Sequence, residues 1–166
     1  MSRWFRSYGF AEVADRLLIG AYPLDEDDVS LLARLHVDRV LNVVEDEEYP
    51  EGARDAVTAA LASAGIPEER LPMPDFGGLP SEQIDSAVQT VAGWLDRSDT
   101  VYLHCRAGWQ RSAALAAAVL AARDGVDLRS AMDQVQARKP SSDPLPHQRQ
   151  DLERWWQMRG GSVGSA

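Results

Sequence analysis

The spacing of hydrophobic positions changes period several times along the chain. Short apolar runs of strand type alternate with stretches of helical spacing, which predicts an α/β domain. Residues 11–19 read as an edge strand or hairpin that ends at Gly20 and Pro23. Residues 25–35 place Val29, Leu32 and Leu35 at helical spacing and acids in the first turn, where the helix dipole favours them. The run 39–44 (Arg-Val-Leu-Asn-Val-Val) is strand-like, and 52–64 is a helix closed by Gly65. A short strand is expected at 70–73. Pro74 to Pro80, with Gly77 and Gly78 inside, breaks regular structure.

Ser81 opens a helix to about Leu95, striped by Ile84, Val88, Val91, Ala92 and Leu95. Residues 100–104 are a strand. Residues 112–123 form a helix that is apolar on all sides, hence buried, and Gly125 ends it. A helix over 128–138 stops before Pro140. The last helix, 145–158, carries Leu145, Leu152, Trp155 and Trp156 on one face as packing residues. No internal repeat or linker divides the chain. The reading is one domain over 1–159 with a flexible tail over 160–166. Its expected architecture has three layers, a central and mostly parallel sheet flanked by helices.

Composition narrows the function classes. A chain of 166 residues can bury a core without disulfide or metal staples. The formal charge of −9, from 17 basic and 26 acidic residues, argues against a nucleic-acid partner, which needs a basic footprint. The longest apolar stretch, 113–122, is half of the ~20 residues a membrane span needs. No signal-peptide run occupies residues 1–10. No membrane partner is expected, and the expected location is the cytoplasm. One cysteine excludes a disulfide framework and a Cys-rich zinc site, and suits a reducing compartment. His36, His104 and His147 lack metal-ligand spacing, so no metal or other cofactor is expected.

That single cysteine sits in the most informative segment, His104-Cys105-Arg106-Ala107-Gly108-Trp109-Gln110-Arg111-Ser112, between a strand and the buried helix. A given Cys would meet that His, Gly, Arg and Ser by chance on the order of once in 10⁵ trials. A loop from a strand end to a helix N-terminus turns backbone N–H groups inward, and with the helix dipole they cradle a tetrahedral dianion. Residues 106–111 are therefore the expected phosphate cup. Gly108 permits the tight turn. Arg111 can grip two phosphoryl oxygens with its planar fork. The same field favours a thiolate at Cys105. Transfer of a phosphoryl group also needs an acid for the leaving oxygen, and Asp75, between Pro74 and the Gly pair, is the candidate. There the glycines are expected to permit movement. Asp85 is a rival acid whose place on a helix face suits simple solvation.

The chain resembles a cysteine-dependent protein tyrosine phosphatase of the compact dual-specificity type. The match runs from Leu17-Leu18-Ile19-Gly20 through the last helix, with Pro74-Asp75 and then the 104–112 loop in the family's order. The resemblance implies Cys105 as nucleophile, Arg111 as phosphate ligand, Ser112 as the hydroxyl that helps expel the thiolate, and Asp75 as general acid and then base. It implies a supporting role for Asn42. More loosely, it sets Gln148 beside the family's glutamine that positions the hydrolytic water. Trp109 and Gln110 depart from the small or polar pair often found there; Trp109 is expected to wall the pocket and Gln110 to alter the water step. No counterpart of the recognition loop of larger tyrosine phosphatases is found. His104 either steadies the loop and tunes Cys105 or is plainly structural. Arg106 is either an extra anion contact or a solvent-facing residue.

The implied activity is hydrolysis of a phosphomonoester, on a phosphorylated protein or a small molecule. A phosphoinositide or an RNA 5′ end is the alternative substrate; Arg106 favours it and the acidic run Glu45 to Glu48 opposes it. That run follows a strand end, where ligands bind in α/β sheets, and is expected to disfavour polyanions if it rims the pocket. A rhodanese-type sulfur transferase would have a shorter loop and no use for Asp75. A phosphate-binding interaction module would keep Arg111 without needing Cys105 and Asp75 together. Oligomeric state is not legible in the sequence.

Overall fold

The computed structural model describes residues 1–161 and 164, so the tail expected over 160–166 lies largely outside the described residues. The strands are β1 (Phe10–Ala14), β2 (Leu17–Gly20), β3 (Arg39–Asn42), β4 (Glu68–Arg70) and β5 (Val101–His104). They form one sheet in the order β1-β2-β5-β3-β4. Only the β1–β2 hairpin is antiparallel; β2, β5, β3 and β4 run parallel. The helices are α1 (Arg3–Tyr8), α2 (Glu26–Arg34), α3 (Ala53–Ala64), α4 (Ser81–Asp96), α5 (Arg111–Asp124), α6 (Leu128–Arg138) and α7 (Pro146–Met158).

The side-chain alternation of the strands builds two cores. Leu17, Ile19, Leu41, Val101 and Leu103 pack with α4 to α7. Leu18, Val40 and Tyr102 point the other way and pack with Phe5 of α1 and with α2 and α3. This is the three-layer arrangement expected of strands that are apolar on both faces. Each fully buried aliphatic side chain contributes about 1.5–3 kcal/mol. Helix α5, buried without break from Arg111 to Ala121, is small-sided enough to lie between the sheet and its neighbours.

Local chemistry sets the element ends. Asp25 caps α2 by accepting from the Asp28 backbone N–H at 2.8 Å. Gly65 and Gly125 close α3 and α5 in the left-handed region, at φ 68° each. The strand expected at 70–73 is displaced to 68–70, although Leu71 and Met73 still donate to Asn42 and Val43. Sequence periodicity gave no sign of α1. It is held by tertiary bonds: buried Asp28 accepts from the Ser2 backbone N–H and hydroxyl at 2.9 and 2.6 Å.

Gly20, Asn42 and His104 share one register position across β2, β3 and β5. Three parallel strands therefore end together, and the chain leaving β5 passes directly into the loop of interest.

Candidate active site

Cys105 follows the end of β5 and is buried at the base of a loop that ends on α5. Its Sγ lies 3.3 Å from the Ser112 hydroxyl oxygen. Burial alone would push the thiol up. The Arg111 guanidinium, the Ser112 hydroxyl and N–H, and the Gly108 N–H outweigh it, so the thiol is held below its ordinary range. Gly108 has φ 74°, and a Cβ there would come 2.6 Å from the Gly20 carbonyl carbon. The loop thus closes against the end of β2 in a conformation and a space that only glycine fits. Ala107 bridges to Ala21 across the same contact.

Arg111 is 1% exposed; its two terminal nitrogens are bonded, and its buried Nε has no partner. Nη1 donates to Glu48 Oε2 at 2.9 Å and to the Met73 carbonyl at 2.7 Å; Nη2 donates to Glu48 Oε1 at 2.7 Å. Asp75 Oδ1 lies 3.1 Å from Nη2, so the candidate acid and the candidate phosphate ligand are neighbours. Burial works against the guanidinium charge, but Glu48, Cys105 and Asp75 more than restore it.

Glu48 is the site residue that sequence reasoning missed. In the sequence the acidic run reads as a solvated loop or as a rim of the pocket. Instead Glu48 orients Arg111 and also accepts from the Glu45 N–H at 2.8 Å, while Asp46 pairs with Arg70. Its position just past β3, in a one-turn 3-10 helix over Asp46–Glu48, was the available signal.

The supporting residues have separate tasks. Asn42 is fully buried; it donates to Tyr49 Oη at 2.8 Å and accepts from the Val44 N–H at 2.8 Å, fixing the chain that leads to Glu48. Gln148 accepts from the Leu145 N–H at 2.9 Å and donates to the Gly77 carbonyl at 3.1 Å, so its bonds go to α7 and the acid loop. Asp85 accepts from Trp155 Nε1 at 2.7 Å and from Arg159, which makes it a packing partner of α7. Gln110 precedes α5 with its side-chain oxygen buried and unpartnered. Gly77 sits where a Cβ would come 2.8 Å from Pro74 Cβ, so this glycine serves close packing of the turn.

His104 is buried beneath the loop, with Nδ1 3.2 Å from the Cys105 carbonyl oxygen. Burial lowers its pKa to about 4, so it is neutral at pH 7. An unfolded chain takes up that proton near the ordinary 6.5, so stability is lost as pH falls from 6.5 toward 4. The expected loss relative to a His104→Gln variant is about 2 kcal/mol between pH 7 and pH 4.5. Urea denaturation of both proteins at the two pH values measures it. Parallel pH dependences would show that His104 does not titrate this way.

Above the sulfur opens a cavity of about 250 Å³ lined by Trp4, Tyr8, Asp75, Phe76, Trp109 and the 105–111 loop. Tyr8 and Trp109 meet edge to face at 5.1 Å. Trp4 Nε1 donates to the Arg106 carbonyl at 2.7 Å, and the Arg106 guanidinium lies 5.0 Å from the Trp4 ring centroid. Helix α1 is thereby stitched to the loop as a wall of the pocket.

A buried cysteine held below its ordinary range, a fixed guanidinium and an adjacent carboxyl group over a helix N-terminus can hold and attack a phosphoryl group. Residues 18–158 match the dual specificity phosphatase catalytic domain. The chain belongs to the dual-specificity phosphatase family. This phosphatase is cysteine-dependent, and the resemblance read from residues 75 and 104–112 agrees with the family match. No curated protein sequence matches the chain. Among solved structures, Tk-PTP in its active form has a TM-score of 0.78 at 24% identity, covering 88% of this chain and 95% of its own. Human DUSP28 gives 0.73 at 20%, covering 92% and 95%. PTPMT1 in complex with PI(5)P gives 0.77 at 22%, covering 88% and 93%. These likenesses establish the dual-specificity phosphatase fold. Among the described residues, no helix is long and apolar enough to cross a membrane.

Proposed function

We propose that this phosphatase removes phosphoryl groups from aromatic phosphomonoesters, phosphotyrosine side chains foremost, through a cysteinyl-phosphate. The Cys105 thiolate attacks phosphorus; the S–P bond forms as the P–O bond breaks, and Asp75 gives its proton to the leaving oxygen. Arg111 and the N–H groups of residues 106–111 take the charge on the equatorial oxygens. Asp75, now a carboxylate, accepts a proton from water as that water attacks phosphorus. The S–P bond breaks, and the Ser112 hydroxyl stabilises the departing thiolate. This catalytic unit spans residues 1–159, and its free thiol chemistry suits the reducing cytoplasm.

The observation that carries the substrate class is the aromatic lining of the mouth by Trp4, Tyr8, Phe76 and Trp109. A flat ring gains more from such walls than a polyol does. The cations of the pocket, Arg106 and Arg111, are both near acids already: Asp75 at 3.9 Å and Glu48 at 2.7 Å. Little positive charge is left for the additional phosphates of an inositol lipid. PTPMT1 was solved with such a lipid, which makes it the informative comparison substrate.

The test compares kcat/KM for one peptide carrying phosphotyrosine or phosphoserine and for a soluble phosphoinositide head group. The phosphotyrosine peptide is expected to lead both by about 10-fold or more, the scale of one aromatic contact of about 1.5 kcal/mol. A head group that leads would overturn the reading.

A further inference from the structure

The loop that carries Asp75 is bonded by three residues of α7. His147 Nε2 lies 2.9 Å from the Phe76 carbonyl and 3.2 Å from that of Gly77. Gln148 Nε2 donates to the Gly77 carbonyl at 3.1 Å. Asp151 Oδ2 accepts from the Leu79 N–H at 2.8 Å, and a Cβ on Gly78 would sit 3.1 Å from that same oxygen. Residues 147, 148 and 151 fall on one face of the helix by its period.

The helix is itself fixed. Leu152 and Trp155 are buried, and Trp155 is bonded to Asp85 of α4. Gln148 is fully buried with both ends of its amide in use, so it has no alternative partner to turn to. The loop it holds includes Phe76 at φ 60°, a left-handed conformation that costs a non-glycine residue about 1–2 kcal/mol and persists only where surroundings impose it. Phe76 adjoins Asp75, so releasing this turn moves the acid.

We propose that Gln148 and Asp151, with His147, are positioning residues for proton transfer: α7 clamps the acid loop so that Asp75 meets the leaving oxygen. The inference rests on Asp75 being the general acid. A general acid works only within hydrogen-bond reach of the atom it protonates, and a misplacement of ~1 Å can cost ~10²-fold. The clamp should therefore matter in proportion to how badly the leaving group needs its proton, and little for phosphate binding.

The experiment measures kcat on aryl phosphates from 4-nitrophenyl to phenyl for Asp151→Ala, Gln148→Met and Asp75→Asn, with thermal melts and vanadate inhibition alongside. Asp151→Ala and Gln148→Met are expected to lose up to about threefold on the nitrophenyl ester and about tenfold or more on the phenyl ester. Vanadate inhibition should stay within about twofold, because the cup is untouched. Asp151→Asn keeps an oxygen for the Leu79 N–H and should recover most of the loss. Arg154→Ala removes only the exposed ion pair to Asp151 and should behave as wild type. In an Asp75→Asn background the α7 substitutions should cost nothing further.

A uniform loss across the ester series, or additive losses on Asp75→Asn, would overturn the clamp. If Asp75→Asn itself is indifferent to the leaving group, the acid assignment fails and the clamp with it. If Asp75→Asn is sensitive and the α7 variants are not, the clamp alone fails.

Discussion

Replacing Cys105 with Ser is expected to lower kcat on an aryl phosphate by about 10⁴-fold or more, with a chelator present and without effect. The substitution changes one atom. The loop's close approach to Gly20 and the bonds of Arg111 to Glu48 do not depend on sulfur, so the cup survives. What is lost is ionisation. The field of Arg111, Ser112 and the Gly108 N–H is enough to hold a thiol below its ordinary range despite burial. A hydroxyl ionises far higher and stays protonated in the same field. The variant should therefore still bind tungstate, seen as a rise in melting temperature, while turning nothing over. Retained turnover, or activity lost to the chelator in the wild type, would rule out the thiolate route.

The second large effect is expected at Asp75. Asp75→Asn should lower kcat by about 10²–10³, the scale of a positioned acid, and more for phenyl than for nitrophenyl esters. Its oxygen stands 3.1 Å from Arg111 Nη2, beside the group that would hold the phosphoryl oxygens. Asp85→Asn is the control. The amide keeps an oxygen for Trp155 Nε1, so α7 stays in place and only the charge facing exposed Arg159 is lost; kcat should stay within about twofold. If Asp85→Asn is the damaging change, the acid has been assigned to the wrong carboxylate.

Much of this was legible in the sequence because it is local. The 104–112 loop is contiguous, its residues are chemically distinctive, and a strand followed by a buried helix announces its geometry. The two-faced apolar strands around Val40, Leu41, Tyr102 and Leu103 announce a parallel sheet covered on both sides. What escaped is set by long-range contacts. Helix α1 spans only residues 3–8, too short for a periodic stripe, and is fixed by Asp28 and the Arg106 carbonyl. Yet it supplies two walls of the pocket. Glu48 reads as one acid among four, and only the fold brings it to Arg111, sixty-three residues away. The resemblance sets Gln148, loosely, beside a water-positioning glutamine. Its bonds to Leu145 and Gly77 depend on where α7 docks, which no local pattern encodes. The close packing of Gly77 against Pro74 and of Gly78 against Asp151 is likewise set by the fold.

Passage of the phosphoryl group through the sulfur of Cys105 leaves a covalent trace. Rapid quenching in SDS during turnover of an aryl phosphate, followed by proteolysis and mass spectrometry at alkaline pH, reads this directly. A phosphoryl group stable in alkali is expected on the peptide containing residues 104–112, located at Cys105 and absent from Cys105→Ser. Turnover with that peptide unmodified, or with the phosphoryl group on another residue, would contradict it.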